Sequence, residues 1–257
     1  MVPAKGVESQ SEPSRVTQPV FKLLAVILFA TVVTQLAHLA YNSTHDFQSI
    51  VLPSVLYLSA TVIPLGGLGI WFGRQIGLGA PMLAALLQNQ PGTWRSLLRD
   101  ARVSGLLGLS IGAGLVLLRM VTESYLPSEI PTFGHRGLLG GVLVSVAAAL
   151  SEEVWFRLGI MTMLLWSFAR LLGYKTIPPA LAWPVIIFVS VAFGMAHLPQ
   201  LMSHGAGTSF AIWATILGNS LVGILYGWCY WRLSFIAAVI AHFAVDLMIH
   251  AVPALFV

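Results

Sequence analysis

Residues 137–172, GLLGGVLVSVAAALSEEVWFRLGIMTMLLWSFARLL, decide the fold. A helix crosses the hydrocarbon of a bilayer with about 20 mostly apolar residues. At about 1.5 Å per residue this run extends about 54 Å, so it must tilt, bend or reach beyond the membrane. It also carries the densest charge cluster of any apolar stretch in the chain, Glu152, Glu153 and Arg157.

Outward from that run, further apolar segments of spanning length or near it lie at 20–41, 50–72, 103–118, 181–198, 210–231 and 235–253. The expected fold is therefore all-α, a multi-pass transmembrane bundle of about seven spans. Segment 50–72 contains Pro53, Pro64 and several glycines and is expected to kink. Segment 74–102 is different: 81–87 is too short to cross, and Arg95, Arg99 and Arg102 flank Leu97 and Leu98. It reads as one or two amphipathic helices lying in the interface. Ser104, Gly108 and Gly112, and again Gly223 and Gly227, recur at four-residue spacing, a stripe that lets membrane helices approach closely.

Composition agrees. Of 257 residues, 57% are hydrophobic and 9% charged, against about 25% charged in soluble domains; the mean hydropathy is +0.86. Thirteen Lys and Arg, net charge +4, are too dispersed for nucleic acid, and none is expected as a partner. They fit membrane orientation instead. Lys5, Arg15 and Lys22 precede or open the first span and Arg74, Arg95, Arg99 and Arg102 follow the second, whereas 42–49 has no Lys or Arg. That bias predicts a cytoplasmic N-terminus, in a plasma-membrane protein. Three regions are expected: a polar, disordered tail at 1–18, membrane helices at 19–136, and a functional core at 137–257. Cys229, the single cysteine, excludes an intramolecular disulfide and a zinc–cysteine cluster, and packing is its expected job. Asn42-Ser43-Thr44 fits a glycosylation sequon, a short pattern. The eight tryptophans suit interface belts.

Function is expected where charge enters the hydrocarbon, because an ionisable group there costs about 2.5–3.5 kcal/mol. Acidic residues interrupt the apolar segments as read at Glu152, Glu153 and Asp246, and His197 and His242 accompany them on separate spans. The bland alternative is a buried ion pair that locks helix register. Glu153 and Arg157 are four apart, acid first, and can neutralise each other. Glu152 points about 100° away without a partner at helical spacing and is free to act as a base. His242 and Asp246 share a face, where a carboxylate can fix an imidazole tautomer. His250 extends that stripe at i+8, a face that suits a transition metal. His38, His45, His135 and His204 read as loop or helix-end residues. A glutamate with histidines suggests water activation and hydrolysis. No HExxH zinc motif, no Gly-x-Gly-Asp and no Gly-x-Ser-Gly is present, so metalloprotease, presenilin-like and rhomboid sites fit poorly.

The order of motifs carries a resemblance. Glu152 to Arg157 matches EExxxR, Phe193 to His197 matches FxxxH, and His242 to Asp246 matches HxxxN/D. Each is weak alone, but on successive membrane helices the set resembles the CPBP (Abi) family of intramembrane proteases, related to the eukaryotic CaaX prenyl endopeptidase. The resemblance covers roughly 138–250. It implies a glutamate-dependent endopeptidase without a cofactor, acting on a membrane-associated peptide or protein. Glu152 and His197 would activate water, His242 and Asp246 would stabilise the oxyanion, and Glu153 and Arg157 would give structural support. The departure is Asp246, where the prenyl endopeptidases carry Asn. An ionised Asp cannot donate to an oxyanion, so Asp246 must be protonated or must orient His242 instead. A peptide-binding pseudoprotease and a proton-coupled transporter remain alternatives on the sequence alone.

Overall fold

A computed structural model describes residues 17–256. It is 81% helical, with no strand among the described residues and seven helices long and apolar enough to cross a membrane. Of the polar tail expected to be disordered, residues 1–16 lie outside the described part.

The elements in chain order are α1 (Val20–Asn42), α2 (Phe47–Gly73), the short α3 (Pro81–Leu87), α4 (Thr93–Thr122), α5 (Gly137–Glu153), α6 (Thr162–Leu171), α7 (Pro179–Ala196), the short α8 (Leu198–Ser203), α9 (Ser209–Arg232) and α10 (Phe235–Asp246). Local chemistry sets the starts. Asp46, Thr208 and Ser234 accept hydrogen bonds from the backbone N–H of Ser49, Ala211 and Ala237, capping α2, α9 and α10. Prolines open α3, α7 and α8, where a missing N–H costs nothing. The Asp46 cap starts α2 three residues earlier than hydropathy alone predicts.

Segment 137–172 crosses as one run of 35 residues, Gly137–Leu171, without a break. Its middle, Val154–Met161, is wound as a π-helix between α5 and α6. A second π turn, Leu247–Ala251, continues α10.

Segment 74–102 departs from the sequence reading. Thr93 to Arg102 is not a separate interfacial helix but the first turns of the 30-residue α4, since no breaker separates Arg102 from Val103. Only α3 stands alone, with Ala84 and Ala85 buried in the bundle. The longer α4 brings a further acid onto a spanning helix: Asp100 is buried, and Arg99 Nη2 lies 2.9 Å from its Oδ1. Charged residues at a helix end resemble an interfacial helix in composition because both put long cationic side chains at headgroup level.

Packing pairs α1 with α2 and α5, α7 with α9, and α10 with α4 and α9. Buried apolar side chains of α2, the π segment, α7, α9 and α10 form one continuous core. The Ser104–Gly108–Gly112 stripe meets α10: a Cβ on Gly108 would lie 2.5 Å from the Ala241 carbonyl oxygen. Gly223 and Gly227 serve the same purpose between α9 and α7, against Ser190 and Ile186. Cys229 is fully buried, as packing requires. The Asn42 amide is engaged by His38 Nδ1 at 2.9 Å and the Gly140 carbonyl at 3.2 Å, tying α1 to α5.

Gly108→Ala is expected to destabilise the bundle by about 1–3 kcal/mol, the usual cost of overpacking a tight contact. Gly114→Ala, where a Cβ meets nothing within 4 Å, should leave the unfolding temperature unchanged or slightly raised. Thermal unfolding of both variants in detergent checks this; equal losses would disprove the α4–α10 contact.

Candidate active site

The expected residues arrive from three helices. Glu152 and Glu153 end α5, Arg157 lies in the π segment, His197 follows α7, and His242 and Asp246 lie on α10.

Arg157 is the deepest group and is fully buried. Its Nη2 donates to the Gly223 carbonyl at 3.0 Å. Its Nη1 stands 3.1 Å from Glu153 Oε1, an ion-pair distance without hydrogen-bond geometry, and its Nε has no hydrogen-bond partner. Phe193 and Tyr226 flank the guanidinium with ring centres 4.6 and 5.1 Å from its carbon, a cation–π setting. The i, i+4 pair read from the sequence is therefore formed.

Glu153 does more than neutralise Arg157. Its Oε1 also lies 2.9 Å from His242 Nδ1. A carboxylate there accepts Nδ1–H and fixes the tautomer, which leaves Nε2 facing the other way. The sequence offered Asp246 for that task. Asp246 instead lies on the Nε2 side, Oδ2 to Nε2 3.5 Å, so the orienting carboxylate comes from α5 and not from four residues along α10.

His197 is anchored in parallel. Its Nδ1 meets the Phe193 carbonyl at 2.8 Å, which accepts from the ring N–H and turns Nε2 outward. Both free imidazole nitrogens then face one carboxylate: Glu152 Oε2 is 3.9 Å from His197 Nε2 and 3.8 Å from His242 Nε2. These gaps are too long for direct hydrogen bonds, and Glu152 Oε2 has no hydrogen-bond partner. Exposure divides the cluster. The side chains of Glu152 and His197 are 23% and 27% accessible, those of Glu153 and His242 0% and 3%. The outer pair is partly accessible, although Glu152 Oε2 itself is buried, and the inner pair is enclosed.

Two features escaped sequence reading. Tyr226 on α9 stacks on His242, ring centres 4.4 Å apart and planes 11° apart, and its buried hydroxyl has no hydrogen-bond partner. A tyrosine inside an apolar run carries no signal of such a contact. The second is the π winding at Arg157. Thr162 donates its hydroxyl to the Arg157 carbonyl at 2.9 Å, spanning five residues, and shares a 2.6 Å hydrogen bond with the Tyr230 hydroxyl. α2 accommodates the widened turn through Gly69, where any Cβ would run into the Leu158 carbonyl.

The other histidines stay outside the cluster. His38 binds Asn42 and His135 binds the Thr132 carbonyl, both local contacts at helix ends. The His242–Asp246–His250 stripe does not continue as an α-helical face, because the backbone turns to π winding after Asp246. No group of three His, Cys, Asp or Glu among the described residues is arranged to hold a metal ion.

No curated protein and no solved structure matches the chain. Residues 134–248 match the family model described as type II CAAX prenyl endopeptidase Rce1-like. The match begins at the loop before α5, ends two residues past Asp246, and so contains all six residues of the cluster. Residues 134–248 of this membrane protein are thus similar to the Rce1-like, type II CAAX prenyl endopeptidase family.

Proposed function

We propose that the chain is an intramembrane endopeptidase in which Glu152 is the general base. The observation that carries this reading is the convergence of two Nδ1-anchored imidazoles on one accessible, uncommitted carboxylate. Glu152 and His197 hold a water between them. Glu152 takes its proton as the water oxygen attacks the carbonyl carbon of the scissile bond. The resulting oxyanion lies toward the protonated Asp246 carboxyl and toward His242, which acts as the imidazolium, with Nδ1–H on Glu153 and Nε2–H turned to the oxyanion. The proton then passes to the departing amide nitrogen, the C–N bond breaks, and a carboxylic acid and an amine leave, ionising to carboxylate and ammonium.

His242 enters this scheme already oriented, because Glu153 holds Nδ1–H and Tyr226 covers one ring face. Asp246 acts as a protonated donor beside the oxyanion. The 3.5 Å approach of its Oδ2 to His242 Nε2 sets it on the reacting side of the ring, which supports that role over an orienting one. The chemistry needs no cofactor.

Glu152→Gln is expected to lower turnover about 10²–10⁴-fold, the range positioned acid–base groups contribute, with folding unchanged. Arg157→Ala leaves Glu153 buried without its cation and should cost about 3–5 kcal/mol of stability. Unfolding curves and cleavage of membrane-protein segments by cells carrying each variant separate the two effects. Full cleavage by Glu152→Gln would refute the assignment of the base. Purified protein should keep cleaving after exhaustive treatment with EDTA and phenanthroline; a loss restored by zinc would turn Glu152, His197 and His242 into ligands. Asp246→Asn should retain turnover, since an amide also donates, whereas Asp246→Ala should lose it. Equal loss in both would remove the donor role.

A further inference from the structure

The two ends of the bundle differ in charge, and the candidate site lies nearer one of them. The first end is defined by contacts between segments distant in sequence. Gln18, just before α1, bonds the Leu78 carbonyl and the Ala80 N–H. Arg170, at the close of α6, bonds Gln75. Trp183 near the start of α7 meets Trp231 near the end of α9. The N-terminal entrance, the α2–α4 connection and the α6–α7 and α9–α10 turns therefore share one end. The other end joins Asn42 to Gly140 and Arg119 to the Pro131 carbonyl, and packs Tyr125 against Phe210.

Basic residues favour the first end overwhelmingly. To Lys22, Arg74, Arg95, Arg99 and Arg102 there, connectivity adds Arg170, Lys175 and Arg232, eight of the eleven Lys and Arg among the described residues. The second end has Arg119 and Arg136 against Asp46, Glu123 and Glu129. Such a bias in short loops and span ends fixes the basic side as cytoplasmic.

The site sits far from that side. The 18 residues of α7 that precede His197 rise about 27 Å from the basic end, against a hydrocarbon thickness of about 30 Å. α8, which follows His197 directly, packs with Leu201 against Leu126 and Ile130 of the acidic-end loop. On the α5–α6 run, Glu152 lies about 23 Å from Gly137 and about 28 Å from Leu171. Arg157 and Glu153 are fully enclosed, while Glu152 and His197 are the accessible pair.

We propose that the site opens on the membrane face opposite the N-terminus. Its substrate is then a membrane-anchored polypeptide whose scissile segment lies at the extracytoplasmic boundary of the bilayer, not a cytoplasmic prenylated C-terminus. The sidedness follows from charge and connectivity alone; the substrate class rests on the proteolytic reading above.

Single cysteines at Ser128→Cys in the acidic-end loop, Gln200→Cys beside His197, and Thr176→Cys at the basic end report the sidedness. The native Cys229 is fully buried and serves as the unlabelled control. A membrane-impermeant maleimide should label Ser128→Cys and Gln200→Cys in intact cells and Thr176→Cys only after permeabilisation. The reverse pattern, or labelling of all three in intact cells, overturns the proposal. Comparing new termini in the membrane proteome of wild-type and Glu152→Ala cells tests the substrate class. Wild-type-specific cleavage in extracytoplasmic segments supports it, and cleavage in cytoplasmic segments overturns it. Absence of any Glu152-dependent product sinks the proteolytic reading and the substrate class together, while the labelling still decides the sidedness.

Discussion

Everything at the site hangs on one buried carboxylate, Glu153. In the hydrocarbon region an arginine without an anion is untenable, and Glu153 is the anion beside Arg157, with the Gly223 carbonyl and the Phe193 and Tyr226 rings around it. Glu153 in turn spends the same oxygen on His242 Nδ1. One oxygen thus couples α5, the π segment, α9 and α10. A change that moves any of these four alters the direction of the His242 ring, and with it the nitrogen turned toward Glu152.

This coupling explains why two adjacent glutamates share so little. Glu153 is enclosed and meets both Arg157 and His242 through one oxygen; Glu152, one residue earlier and about 100° around the helix, is partly accessible, and its Oε2 has no hydrogen-bond partner. The pair is a support and a tool made from the same residue type. Their difference comes from their neighbours: Arg157 and His242 bear on one through hydrogen-bond or ion-pair distances, while His197 and His242 stand back from the other.

Much of this was legible in the sequence, for reasons that are physical. Hydropathy and helix length are one-dimensional properties, so the seven spans and the cost of Glu152, Glu153 and Asp246 inside them could be read directly. The Glu153–Arg157 pair follows from i, i+4 spacing. The Glu153–His242 bond joins residues 89 apart and has no spacing to betray it. On the sequence, Asp246 was the one acid within reach of His242 on the same helix, so the donor and orienting roles both fell to it and Glu153 gave no sign of taking the second. The extension of α4 back to Thr93 was hidden because arginines at headgroup level look alike on a spanning helix and a surface one. The stacking of Tyr226 on His242 depends on how α9 and α10 face each other, which local sequence does not specify.

The two π turns begin immediately after site carboxylates, one after Glu153 and one after Asp246. A π turn accommodates one more residue than the α turn it replaces. Each is in effect a single-residue insertion held inside an otherwise continuous helix. Deleting one residue from Val154–Met161 would let the segment return to α winding with the faces of α6 kept, each downstream residue numbered one lower. The residues now numbered Trp166 and Arg170 would then keep Gln75. In comparing related chains, a one-residue gap just beyond the glutamate pair would mark the same helix in two windings, and the residues downstream of it should be aligned by face and not by count.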